Sequence, residues 1–379
     1  MNSRERVVMA LNHQEPDKVP LDLGSTVVTT IAADAYHNLR AYRGLPPDTH
    51  PLNLDLMGGL LDPREDLLEL YEIDFRTINI KGSSTFELTI APDDTFYDEF
   101  GVRYRKASYY YDAIERPLAK FTTSQEIEQI PWPDPYDPAR VKGLREEARQ
   151  LLDNTPYALV ADIPCLGPFE GGCILRGHDR FCMDLASDPQ IAETILDKVT
   201  DFAIGIWDAY LGAVGDYVQV VAQGDDIGMQ TNLYLSPRMY RKYIKPRHRR
   251  IYDFIHSKTK AKVFMHSCGS VYDVIPDLIE VGVDVLNPVQ PGAAKMDLAR
   301  LKQEFGKEIC FWGGGIDVQQ VMPYASLVTI ETEVKHAMEI MAPGGGYIFA
   351  PSHNIQADVS PDRIHKTYDT ALRFRTYAH

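Results

Sequence analysis

From about residue 155 to the end of the chain, short apolar runs alternate with stretches of helical period. The runs are Tyr157-Ala-Leu-Val-Ala-Asp162, Tyr217-Val-Gln-Val-Val-Ala222, Ala261-Lys-Val-Phe-Met-His266, Val283-Asp-Val-Leu-Asn287, Glu308-Ile-Cys-Phe-Trp312 and Gly346-Tyr-Ile-Phe-Ala350. Helix signals separate them. Ser236-Pro237 sets an N-cap with proline at the first helical position, Asp297 opens a helix that Gly306 closes, and Ser360-Pro361 announces the last helix. Strands alternating with helices build a parallel sheet, either open or closed on itself. With Val19-Pro-Leu-Asp-Leu23 and Phe75-Arg-Thr-Ile-Asn-Ile80 the candidate strands number eight, which predicts a closed (β/α)8 TIM barrel of the α/β class.

The chain before residue 155 has another texture. A short helix is expected over about residues 3–12, followed by the Pro-rich stretch Glu15-Pro16-Asp17-Lys18-Val19-Pro20. Alternation from Phe86 to Lys106 predicts β-hairpin strands. Gln129-Ile-Pro-Trp-Pro-Asp-Pro-Tyr-Asp-Pro138 carries four prolines, which remove donors and fix φ, so it is a connector. The expected organisation is one barrel domain over 1–379, with 82–138 as an N-terminal β-hairpin insertion and Pro-rich connector.

Composition narrows the classes of function. At 379 residues with 44% hydrophobic and 25% charged content, the chain can bury a sizeable core and is not a disordered one. Acidic residues outnumber basic ones by 54 to 39, for a net charge of −15, and no Lys/Arg block is present, which argues against nucleic acid as a partner. No apolar run approaches 18 residues and the N-terminus lacks a signal-peptide pattern, so a cytoplasmic protein without a membrane span is expected. Five cysteines are too few and odd in number for a disulfide framework, and reduced thiols are the expectation.

In a barrel of this kind chemistry sits at the carboxyl ends of the strands. There the sequence offers Asp22, Asn79 with Lys81, Asp162 with Cys165, Asp225 with Asp226, His266 with Cys268, Asn287 with Gln290, Gly315 with Asp317, and His353 with Asn354. The pair in Val263-Phe-Met-His-Ser-Cys-Gly269 is the most informative. Residues i and i+2 of a strand face the same way, and a neutral imidazole with a thiolate is a zinc-type donor set. A catalytic zinc needs one more protein ligand and an open position; the fifth and eighth candidate strands would bring His266, Cys268 and His353 to one rim. A hydrogen-bonded core histidine beside a buried thiol is the plain alternative. For Asp225 and Asp226 it is helix capping, for the Gly313-Gly-Gly315 and Gly344-Gly-Gly346 loops tight turns rather than a phosphate cradle, and for Tyr109-Tyr110-Tyr111 hairpin core rather than a cover for the barrel mouth. Cys165, Cys173, Cys182 and Cys310 read as buried, unreactive thiols, and the other nine histidines, from His13 to His379, as surface or packing residues.

These segments resemble a known family. The opening Ser3-Arg-Glu-Arg-Val-Val-Met-Ala-Leu-Asn-His-Gln-Glu-Pro-Asp-Lys-Val-Pro20, Gly177-His-Asp-Arg-Phe-Cys-Met-Asp-Leu-Ala-Ser-Asp-Pro189, Gly224-Asp-Asp-Ile-Gly228, His266-Ser-Cys-Gly269, Gly315-Ile-Asp317 and Pro343-Gly-Gly-Gly-Tyr-Ile-Phe-Ala-Pro-Ser-His-Asn-Ile355 are similar to the uroporphyrinogen decarboxylase superfamily. More narrowly they resemble its zinc- and corrinoid-dependent methyltransferase branch. True decarboxylases of the family carry an arginine-rich first strand and loop for a substrate with many carboxylates. Here Val19-Pro-Leu-Asp-Leu-Gly-Ser-Thr-Val-Val-Thr-Thr-Ile31 is followed by no arginine until Arg40, so those counter-ions are missing. Relatives acting on coenzyme M pair His-x-Cys with a distant Cys; at that place this chain has His353.

The resemblance therefore implies zinc held by His266, Cys268 and His353, with a corrinoid (cobalamin) on a separate partner protein. Replacing a thiolate by a neutral imidazole makes the zinc a stronger Lewis acid, suited to an oxygen leaving group. The expected reaction moves a methyl group from a methylated small molecule, an aryl methyl ether first among amines, quaternary amines and methanol, to the reduced corrinoid. The reverse flow, to a thiol or pterin, and a decarboxylase or phosphate-binding barrel are the competing readings. Asp225 and Asp226 are candidates for a further ligand, a support for a zinc-bound histidine, or a proton relay; Asn287, Gln290, Asp317 and Asn354 are candidate substrate contacts. The superfamily resemblance also implies a homodimer.

Overall fold

The computed structural model describes residues 1–377 apart from Tyr109. Of the residues singled out in the sequence, Tyr109 and His379 lie outside the described residues.

Seven parallel strands form the central sheet: Phe75–Ile78, Ala158–Ala161, Val220–Gly224, Lys262–His266, Val285–Asn287, Cys310–Trp312 and Tyr347–Ile348, hydrogen-bonded in that order. The eighth expected strand, Val19 to Leu23, closes the barrel by single contacts. The Phe349 N–H donates to the Pro20 carbonyl at 2.9 Å and the Asp22 N–H to the Phe349 carbonyl at 2.9 Å, while on the other side the Asp74 N–H donates to the Leu21 carbonyl at 3.0 Å. Pro20 has no N–H to offer, which is why this staff of the barrel is no regular ladder.

Side chains alternate across the barrel wall. Phe75, Ala158, Val160, Val220, Ala222, Phe264, Val285, Cys310, Trp312, Ile348 and Ala350 fill the interior, while Leu159, Val221, Val263, Met265, Leu286 and Phe311 face the helical shell. The helix Ser3–Leu11, started by a capping box between Asn2 and Glu5, adds Val7 and Leu11 to the interior cluster. Inward-facing His266 follows Phe264, and inward-facing Asn287 follows Val285, so the alternation carries both to the carboxyl end of the barrel interior.

The helix signals hold with one exception. The Ser236 hydroxyl accepts from the Met239 N–H at 3.3 Å and Asp297 from the Arg300 N–H at 2.8 Å, but Ser360 hydrogen-bonds Asp362 and leaves the helix Pro361–Phe374 without a side-chain cap. The hairpin lies further along than its alternation indicated. Its strands are Thr95–Tyr97, Arg103–Ala107 and Tyr110–Glu115, because Ala91-Pro-Asp-Asp94 makes a turn in which Asp94 takes a φ of +56°. A second small antiparallel sheet, Ile31–Ala32 with Leu60–Leu61 and Asn53–Asp55, was not foreseen. No helix of the described residues is long and apolar enough to cross a membrane.

Candidate metal centre

The donor atoms of His266, Cys268 and His353 all lie within 4.8 Å of one another, and His266 Nε2 stands 3.4 Å from Cys268 Sγ. Donors about 2.0 to 2.3 Å from a tetrahedral zinc are separated by roughly 3.3 to 3.8 Å; the His266–Cys268 pair has that spacing, and the set of three stays within 4.8 Å. The two imidazoles meet edge to face with centroids 5.4 Å apart.

Cys268 does not share a strand face with His266, contrary to the expectation from their spacing. The strand ends at His266, and Cys268 lies in the following loop rather than two residues along the same face. Its position comes from backbone hydrogen bonds: the Cys268 N–H donates to Asp226 Oδ1 at 2.8 Å and the Gly269 N–H to Gln290 Oε1 at 2.5 Å. Gly269 takes a φ of +80°, and a Cβ there would stand 2.5 Å from the Met229 carbonyl oxygen, so the turn that returns Cys268 to the rim requires glycine. His353 sits on the loop after the last strand, pinned by the Ser352 N–H to the Ile316 carbonyl at 2.9 Å and by Asn354 Oδ1, which accepts from the Thr30 N–H at 2.8 Å.

Proton states favour a metal. Asn287 pairs in register with His266 and accepts its Nδ1 proton at 2.7 Å, leaving the Nε2 lone pair toward Cys268. Loss of solvation, with the charge of His266 second, pushes His353 down to about 4, so its imidazole is neutral near pH 7. Burial, then the Asp226 and Glu170 carboxylates, raises the Cys268 thiol well above its ordinary value. A thiolate in that setting needs a cation, and the described residues lining the cavity at this site include no lysine or arginine to supply one.

The two aspartates divide. Asp225 is fully buried and committed to the fold: Oδ1 accepts from the Glu170 N–H at 2.7 Å, and Oδ2 from the Phe169 N–H at 3.2 Å and from His248 Nε2 at 2.7 Å. It caps the helix Pro168–Arg176 from outside its sequence. Asp226, about one-third exposed, turns Oδ1 to within 3.7 Å of His266 Nε2. Of the expected substrate contacts, Asn287 is spent on His266 and the Trp312 carbonyl, Gln290 on Gly269, and Asp317 on the Gln319 and Gln320 N–H groups. Asn354 alone of the four lines the cavity at the metal site, with its oxygen held by Thr30.

That cavity has His266, His353, Asp226 and Glu170 at one end and apolar walls. Tyr110 and Tyr111 line it too, and the Tyr110 hydroxyl donates to Gln356, so this part of the tyrosine run contributes to the cavity wall. Glu170 escaped the sequence reading. An acidic residue at the third position of a helix is ordinary, yet here burial and the neighbouring Asp226 and Asp225 carboxylates raise it well above the usual carboxylate range.

Comparison with known proteins agrees with this architecture. The family profile described as uroporphyrinogen decarboxylase (URO-D) matches residues 109–374. A uroporphyrinogen decarboxylase of Aeromonas salmonicida is 24% identical over 259 residues, covering 66% of this chain and 67% of that protein. One of Pseudoalteromonas atlantica is 22% identical over 364 residues, covering 90% and 97%. Among solved structures, a methyltransferase from Methanosarcina mazei superposes with a TM-score of 0.67 at 20% identity over 99% of each chain, a likeness of fold.

Proposed function

Because the chain belongs to the uroporphyrinogen decarboxylase family, and its barrel mouth carries a His-Cys-His cluster, we propose that it is a zinc-dependent methyltransferase. It takes a methyl group from a methylated small molecule, an aryl methyl ether in the first place, and passes it to the reduced corrinoid of a separate protein. The observation that carries this reading is the gathering of three zinc-type donors within 4.8 Å from positions as distant in sequence as Cys268 and His353. His266 Nε2, Cys268 Sγ and a His353 ring nitrogen would hold the ion, which when bound supplies Lewis acidity toward a leaving oxygen.

The rest of the work falls to the chain itself. Asn287 accepts the Nδ1–H of His266, which in the neutral ring makes Nε2 the lone-pair nitrogen. Glu170, whose carboxyl burial and the Asp226 and Asp225 carboxylates raise well above the usual range, is the group placed to pass a proton to a departing alkoxide or phenoxide. The proton leaves with the product alcohol, and Asp226, which faces the same space, can relay a replacement from solvent to Glu170. The walls formed by Val27, Leu54, Leu60 and Ile163 exclude water around the methyl group. A tetrapyrrole with many carboxylates would meet no lysine or arginine among the described residues lining this cavity, which speaks against decarboxylation.

The test mixes purified protein with a reduced corrinoid protein and a panel of methylated compounds while the cobalt spectrum is followed. Methylation by at least one ether, lost in His266→Ala and Cys268→Ala together with bound zinc, is expected. A protein that binds no zinc on titration sinks the reading. His353→Cys should keep the metal but slow ether cleavage, since a second thiolate lowers its acidity.

A further inference from the structure

The cavity at the metal site is one-sided in charge. Its ionisable lining residues besides the histidines are Asp55, Glu170, Asp226, Cys165 and the two tyrosines, and no lysine or arginine is among the described residues that line it. An adjoining recess, which shares Val27, Leu54 and Ile163, adds Asp62, Glu147 and Asp162. The one cation there, Lys81, donates its ammonium to the Lys142 carbonyl at 2.7 Å. A divalent ion between His266, Cys268 and His353 would be offset by the Cys268 thiolate and the Asp226 carboxylate, leaving no net positive charge for a third anion.

From this arrangement, and resting on the methyl-transfer reading, we propose that the methyl donor carries no anionic group: it is an uncharged methoxylated aromatic, not a methoxylated acid, sulfonate or phosphate. The apolar walls, with Met57 and Leu166 beside those already named, fit the face of a ring, and Tyr110 and Tyr111 supply aromatic surface over it. An acid group on that ring would be stripped of water beside Asp226 and would find no lysine or arginine to offset it, and an uncompensated anion in a desolvated site is strongly disfavoured.

The test compares two ligands that differ in charge but share the methoxy ring. Zinc-loaded protein is titrated calorimetrically with 4-methoxyphenol and with 4-methoxybenzenesulfonate, a sulfonate being a poor zinc ligand. The phenol is expected to bind about tenfold more tightly or better. A smaller ratio, a preference for the sulfonate, or no measurable binding of the phenol overturns the inference. Met57→Arg, which places a cation on the wall, should narrow or invert the preference. Corrinoid methylation is followed in the same samples. Charge preference without methyl transfer removes the methyl-transfer reading and leaves the selectivity standing, whereas methyl transfer without the preference removes only the selectivity.

Discussion

Asn287 stands beside His266 on the neighbouring strand, accepting its Nδ1 proton at 2.7 Å while its own amide nitrogen donates to the Trp312 carbonyl at 3.0 Å. The second bond fixes which end of the amide faces the imidazole, and hence which ring nitrogen is bare. Asn287→Leu should weaken zinc binding about 10- to 100-fold while the protein stays folded, and Asn287→Asp should restore most of it. Chelator competition with each variant measures this. Equal zinc affinity in Asn287→Leu would show that the amide does not set the tautomer.

Zinc affinity should rise with pH. In the metal-free protein the Cys268 thiol is held protonated by burial and nearby carboxylates and must lose its proton to bind, while His353, at about 4, has none to lose. About one proton should leave per zinc bound, so apparent affinity gains about tenfold per unit between pH 7 and 9. Competition at three pH values, with an indicator dye counting protons, checks the slope; a flat profile contradicts it.

Removing Asp225 should cost the fold more than the metal. Its carboxylate, buried with His248, satisfies two N–H groups at the start of the helix Pro168–Arg176. Asp225→Ala leaves these and the buried His248 Nε2 without a partner, at a cost of about 3 to 5 kcal/mol in urea unfolding. Zinc per folded molecule should remain at the wild-type level.

Asp162 gives the stability a pH dependence of definite sign. Burial, with Asp22 and Asp62 nearby, raises its carboxyl from 3.8 to about 7. As pH rises from 4 to 7 the unfolded chain loses this proton and the folded one keeps it, so stability falls through that window and levels above it. Asp162→Asn is free of the effect, and its stability relative to wild type should improve by up to about 3 kcal/mol between pH 5 and 8. Parallel denaturation curves at the two pH values read the difference directly.

The barrel was legible because strand alternation is a local property: the run ending at His266 predicts its own inward face. Its first strand was legible only as apolar sequence, since Pro20 breaks the ladder it belongs to. The three donors were identified correctly as neighbours, but Cys268 gets there by a left-handed turn at Gly269 held by Asp226 and Gln290, which the spacing of two residues does not encode. Asn287, Gln290 and Asn354 were legible as polar residues at the rim, but the hydrogen bonds that Asn287 makes to His266, Gln290 to Gly269 and Asn354 to Thr30 depend on strand register and on loops far away in sequence. Glu170 was invisible for the same reason. Nothing in Gly167-Pro168-Phe169-Glu170 says that its carboxyl turns into the cavity.

The loop bearing His353 is tied to Thr30, and the strand before it meets Leu21, so the third donor arrives only when the two ends of the chain have joined. A nascent or broken barrel would own His266 and Cys268 but bind metal no better than any loose pair of side chains. Bound zinc would tie the loop after Tyr347–Ile348 to the end of the strand Lys262–His266, gripping only molecules in which that loop has been set in place, and its presence would certify a finished fold.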